Sequence, residues 1–406
     1  MMQSIQLGWV DYSNEHRNKV MSVLNALATP EAVDELGIGV IRDGFADIFF
    51  PGTSTIQTRA KYFFIVPYIL MEIERSNVRT PEKFISTLHE MEIELIDSLK
   101  ETAGDEGGVI GARAGKGLKR KPSSIYWHGL RTYEFFQYPH LSLDGYVKEY
   151  CKLKQQKSIQ KSHGAEIDGM SQDDSDAMDG QISSNFWKCL MPTEGWKETL
   201  SIELTKGEAK FLKEKILTAQ ATKDSLYAVM LRDESHTIYN AIDFASIDVN
   251  ILPDALKGNY QLARDFSEFI FGAIIRYNVI LSGGQNEKAE QRWQQWKNSD
   301  FVREKLASFS YNAVFEKLQI KNSKLKTFIA AWKEAVLSGN EQVMDELVTK
   351  REKDIKGKAR AKLNNPTVFV YKEGIWLGGD TPLQYRFGDA KKMMKDIETA
   401  LEVVEC

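Results

Sequence analysis

The 406-residue chain is poor in most things that would announce a function. Its three cysteines, Cys151, Cys189 and Cys406, are too scattered for a disulfide framework or a zinc spacing. That usage suits a reducing cytoplasm. The six histidines, His16, His89, His128, His140, His163 and His236, are equally dispersed, and neither His-Glu-x-x-His nor Gly-x-Ser-x-Gly occurs. The longest apolar run, "KYFFIVPYILMEI", is too short to span a bilayer, contains Pro67 and is bounded by charges. The N-terminus has no basic start followed by an apolar core, so no secretory leader is expected. Positive charge is not in excess either: the net charge is −4 and the pI about 6.0. Any contact with nucleic acid must therefore come from a local patch. No repeat period and no strand–helix alternation is visible. The expectation is a soluble cytoplasmic protein with no membrane segment and no cofactor.

Helical punctuation is plentiful. Val20, Leu24 and Leu27 mark one face of a helix over 14–27. "TPEAVDEL" (29–36) and "TPEKFISTLHEMEIELIDSLKE" (80–101) both open with a Thr cap, a Pro suited to the first turn and a Glu at the positive end of the dipole. In the second, Phe84, Leu88, Met91 and Leu95 form the buried stripe. A helix is predicted from about Thr55, kinked at Pro67. "TKGE" (205–208) is a capping-box pattern. Further helices are predicted at about 258–281, 286–297, 300–318, 322–338 and 340–363, and one closes the chain. "PTVFVYKEGIWLGG" (366–379) reads as a small hairpin. Residues 156–184 lose aromatics and gain acids, and read as a flexible acidic linker. The predicted fold is mainly α: two helical domains, 1–155 and 185–406, joined by that linker.

Three basic stretches carry the functional reading. "GARAGKGLKRKPSSIYWHGLR" (111–131) fails as a nucleotide P-loop, because Gly111 and Gly115-Lys116 are three residues apart and position 117 is Gly. As a basic loop it offers Arg113, Lys116, Lys119, Arg120 and Lys121. Ser123 and Ser124 then start a helix whose free N–H groups would sit beside the cations. Tyr126 and Arg131 could reach a groove or a base. The second stretch, "GTSTIQTRAKY" (52–62), places Thr55 and Gln57 around Arg59 and Lys61 at an expected helix start. Its plainer reading has Thr53 or Ser54 capping and Arg59 paired with Asp43 or Asp47. The third, "VTKREKDIKGKARAKLNN" (348–365), contributes Lys356, Lys358, Arg360 and Lys362, or is simply a solvated helix.

Catalytic constellations are weaker. "LRDESH" resembles the Arg-x(4–6)-His element of the helical HEPN ribonucleases, but only three residues separate Arg232 from His236. Glu90, Glu92 and Glu94 alternate with apolar residues and read as a solvated helix face. A helical nuclease built from distant acids and a protein-interaction scaffold are the two alternatives.

"LGWVDYS", "DELGIGVIRDGFADIFFPGTSTIQTRAKYFFIVPYIL", "KPSSIYWHGLR" and "REKDIKGKARAKLNN…YRFGDAKKMMKDI" together resemble a bacterial family of uncharacterised domains associated with anti-phage defence loci. The resemblance implies a cytoplasmic partner of helicases or nucleases and assigns no catalytic residue. The expected function is a non-catalytic subunit that binds the backbone of DNA or RNA.

Overall fold

A computed structural model describes residues 34–104, 107–163 and 186–402. It is mainly helical, and among the described residues no β-strand forms beyond one isolated antiparallel bridge, Phe136 to Trp187. The predicted helix over 14–27 lies outside the described residues, as does most of the acidic linker.

The chain divides into two compact units, each assembled from two stretches. One takes the chain up to Arg42 together with Leu262–Leu383; the other takes Asp43–Gln261 together with the chain from Gln384 onward. The division therefore falls elsewhere than at 156–184. The physical reason is an aromatic cluster that ignores the linker. Phe186 and Trp187, beyond it, pack on Phe136 and Tyr146, before it (ring centroids 5.1–6.2 Å).

The second unit takes helix α1 (Gly39–Phe49) from Asp43 onward, and α2 (Tyr62–Arg75) forms its centre. Nearly every residue of α2 is buried, so it is apolar all round rather than amphipathic. The helix runs through Pro67. Its one deeply buried acid, Glu74, accepts hydrogen bonds from Tyr146 Oη and from Trp187 Nε1 (3.1 Å). Packed against α2 are α3 (Pro81–Thr102) and α4 (Pro122–Thr132), and α5 (Leu143–His163) packs on α3 and α4. Helix α3 starts as its sequence says: Thr80 Oγ1 accepts the Lys83 N–H, with Pro81 in the first turn. Helix α6 (Lys206–Thr218) is closed by the expected capping box of Thr205 and Glu208. The short helices α7 (Leu226–Arg232) and α8 (Thr237–Asn240) follow, before α9 (Asp254–Ser282). The helix formed last in the chain, α14 (Phe387–Glu402), packs on α6.

The other unit holds the C-terminal part of α9, then α10 (Glu287–Lys297), a π-helical turn (Phe301–Lys305), α11 (Tyr311–Lys317), α12 (Ser323–Ser338) and α13 (Glu341–Lys356). Its core includes the stacked pair Trp293–Trp296 (5.3 Å) and Trp332.

Four predicted elements differ. The helix expected at about 300–318 is broken into the π-helical turn Phe301–Lys305 and the separate α11, which Ser310 starts by accepting the Ala313 N–H. The helix expected from Thr55 begins only at Tyr62. Its would-be first N–H groups are taken by distant partners: Tyr126 Oη accepts from Thr58 and Arg59 (2.9 and 3.2 Å), and Asp396 Oδ2 from Ala60 (2.6 Å). Helix α13 stops at Lys356 instead of running to 363, because the Glu352 carboxylate turns the chain back by accepting the N–H groups of Lys362 and Leu363 (3.1 and 2.8 Å). Residues 366–379 form turns without a ladder. There the Asn278 side chain holds Leu377 through both its N–H and its carbonyl (2.8 Å each), doing what a partner strand would do.

Candidate nucleic-acid interface

The glycine-rich arm is folded. Gly111 sits at φ +88°, a region costly for any other residue, and a Cβ there would meet Ile96 Cδ1 at 2.8 Å and Leu118 Cδ2 at 3.0 Å. The arm thus lies down on α3. It turns through a short 3-10 segment, Gly115–Gly117, and reaches α4 at Pro122. Its root is tied to the turn at 52–61: Tyr62 Oη accepts the Ile110 N–H (2.9 Å), Thr58 Oγ1 donates to the Gly108 carbonyl (2.5 Å), and Arg59 Nη1 donates to the Gly107 carbonyl (3.3 Å). Two stretches fifty residues apart in sequence are thereby joined.

On this arm Arg113, Lys116 and Lys119 are exposed and Arg120 is half-buried. None of the four makes a side-chain hydrogen bond or ion pair with any described residue. Lys121 differs: its ammonium donates to the Leu118 carbonyl. Ser124 and Thr55 are exposed.

The other expected contacts are committed inward. Ser123 is fully buried, and its N–H donates to Glu92 Oε1 at 2.5 Å. The start of α4 is therefore not a free cradle for phosphate; a carboxylate of this chain already occupies it. Burial pushes the Glu92 carboxyl up to about 7, against the lowering pull of Ser123 and Lys121. Tyr126 is fully buried and serves as a bolt for the 58–59 backbone, donating to the Arg59 carbonyl (2.8 Å), so it presents no face to a base. Arg131 donates to the carbonyls of Pro139 (2.9 Å) and Leu141 (3.4 Å). Gln57 is buried, bridging the Gly52 carbonyl and the Ser54 N–H (3.1 Å each).

Arg59 pairs with Asp396 (2.9 Å) and Glu203 (2.7 Å) rather than with Asp43 or Asp47, which take Arg386 instead. Burial pulls the Arg59 guanidinium down, but Asp396 and Glu203 outweigh it and hold it above its usual value. Lys61 is buried and paired with Glu208 (2.7 Å).

In the other unit, Lys356 bonds Glu35 and Glu352, and Lys362 bonds Glu35 (2.9 Å). Tyr277 Oη joins the same two carboxylates at 2.9 and 2.7 Å. These lysines neutralise an internal cluster and are withdrawn as phosphate contacts. Lys358 and Arg360 remain exposed, with Arg360 Nε donating to the Lys356 carbonyl (3.0 Å).

The nuclease alternatives gain no geometry. Arg232 donates to the carbonyls of Leu217 (3.2 Å) and Lys223 (3.0 Å), whereas His236 faces Glu398 at 3.5 Å. Among the described residues no group of three His, Cys, Asp or Glu side chains is arranged to hold a metal ion. Sequence reading missed Glu92, Glu208 and Asp396, the three acids that organise this region. Only Glu208 carried a signal, its place in the capping box.

Fold and site together define a mainly helical protein with one folded basic arm, four of whose cations have no partner among the described residues. The chain belongs to the DUF6361 family, described as a family of unknown function, whose model matches residues 4–300. That span includes the arm and the turn at 52–61. No curated protein and no solved structure matches the chain. No helix among the described residues is long and apolar enough to cross a membrane.

Proposed function

We propose that this protein is a non-catalytic nucleic-acid-binding subunit, contacting a DNA or RNA backbone through Arg113, Lys116, Lys119 and Arg120. The observation that carries the reading is a contrast. The chain spends Arg59, Lys61, Lys356 and Lys362 on its own carboxylates, yet leaves four cations of one short ordered arm without a partner among the described residues. Folding the arm onto α3 orders its backbone in advance, so binding has only the four side chains left to order. Ser124, exposed at the arm's end, can donate to a phosphate oxygen. Membership of an assembly with a helicase or nuclease, in a bacterial defence setting, is supported by the sequence resemblance alone.

Backbone binding by four cations predicts a steep salt dependence. With all four on duplex phosphates, log K against log salt has a slope of about −3.6. Titration of labelled duplex and single strand across a salt series tests this. Replacing Arg113, Lys116, Lys119 and Arg120 with Ala together should flatten the slope nearly to zero. An unchanged slope in that variant overturns the assignment, and a protein that binds neither nucleic acid but co-purifies with a partner is a scaffold.

A further inference from the structure

Lys61 and Glu208 form the floor of a cavity of about 310 Å³, walled by Tyr68, Leu190, Met191, Trp196 and Leu200. The hydrogen bonds of this floor leave a specific remainder. Glu208 Oε1 accepts from Lys61 (3.0 Å) and Tyr68 Oη (3.4 Å); Oε2 accepts from Lys61 (2.7 Å) and from the Thr205 N–H (2.8 Å). The carboxylate is filled. The Lys61 ammonium has three donors and, among the described residues, spends two, both on Glu208. One donor in a buried place is left, and it calls for an acceptor.

The charge balance limits what that acceptor can be. Lys61 and Glu208 cancel, so a ligand carboxylate would enter as an unpaired buried charge. A neutral carbonyl oxygen meets the donor without that cost. The walls limit its shape. Trp196 stands edge-on to Tyr68 (5.4 Å between centroids) and is fixed by its indole N–H to Glu72 (3.3 Å), which gives the cavity a held aromatic pair beside its aliphatic lining. Thr193 and Thr199 line the exposed rim and offer hydroxyls to ring N–H groups. The volume is at the lower end for a small-molecule site.

We propose that this cavity binds a small planar heterocycle bearing a ring carbonyl, the chemistry of a uracil or hypoxanthine ring. The proposal does not rest on the basic arm. The same ring could arrive as a free nucleoside or as a base of a single strand.

Calorimetric titration of the whole protein with uridine, inosine and adenosine tests it. Uridine and inosine should bind saturably, and adenosine, whose ring lacks a carbonyl, roughly tenfold or more weakly, the worth of one hydrogen bond to a charged donor. Lys61→Met should abolish binding. Because that change strands a buried Glu208, Thr199→Trp, which blocks the exposed rim and spares the ion pair, is the companion variant; it should keep the wild-type melting temperature and lose uridine. Displacement of uridine by an oligouridylate assigns the source to a strand, and failure to displace assigns it to the free nucleoside. The arm variant should bind uridine as wild type does, which separates this site from the arm. Absence of saturable uridine binding, equal affinity for adenosine, or full uridine binding by Thr199→Trp would overturn the proposal.

Discussion

Glu92→Gln is the substitution whose effect can be worked most directly from the structure. Glu92 lies beneath α4 with its Oε1 accepting the Ser123 N–H and the buried Ser123 hydroxyl beside the carboxylate, while its buried Oε2 has no partner among the described residues. Burial lifts this carboxyl from 4.5 to about 7. A raised folded-state value means that the folded chain holds the proton more tightly than the unfolded one. The resulting stabilisation is fully present below pH 4.5 and is lost as pH rises through about 7. The shift corresponds to about 3 kcal/mol between those limits. Glutamine keeps the Oε1 acceptor, carries no charge to bury, and has an amide N–H for the Ser123 hydroxyl. Urea unfolding of wild type and variant at a series of pH values from 4.5 to 8.5 reads the effect. The variant should gain on wild type by about 3 kcal/mol from the acid to the alkaline end, most of it between pH 5 and 7.5. Two parallel stability curves would refute the reasoning, since they would mean that Glu92 titrates alike in the folded and unfolded chains.

Asp396→Asn should destabilise by roughly 3–5 kcal/mol, because Arg59 stays buried with only the half-exposed Glu203 for charge, and chemical denaturation measures it. Gly111→Ala should cost about 1–3 kcal/mol from its positive φ and its clash with Ile96 and Leu118, read by thermal melting, and should weaken nucleic-acid binding by misplacing Arg113 and Lys116. Glu352→Gln should loosen the turn after α13 and speed amide exchange at Lys362 and Leu363, whose N–H groups it accepts.

What the sequence made legible was local. The start of α3 and the capping box of α6 are encoded within four residues, and both stand as read. The missed features depend on partners far along the chain. Nothing near Thr55 shows that Tyr126 and Asp396 will claim the N–H groups needed for a helix there. The row Glu90, Glu92, Glu94 looks uniform, yet Glu90 and Glu94 are exposed and Glu92 is buried, because only Glu92 falls on the stripe of Leu88 and Leu95. Basic stretches were visible, but sequence could not tell a cation held by an internal acid from one left open. Of the seventeen residues singled out, Arg59, Lys61, Lys356 and Lys362 are each met by an acid, whereas Arg113, Lys116, Lys119, Arg120 and Lys358 meet none among the described residues.

The ion pair of Arg59 with Asp396 also bears on how the protein is made. Its two residues are 337 positions apart. A ribosome must add more than 300 further residues before α14 emerges, so through that interval the turn at 52–61 has a cation, and a backbone N–H at Ala60, still awaiting their carboxylate. The root of the basic arm hangs on that same turn. The unit containing the arm therefore closes only once Asp396 has been made, 337 positions after the turn it holds, and an arm in its final place reports that α14 has docked.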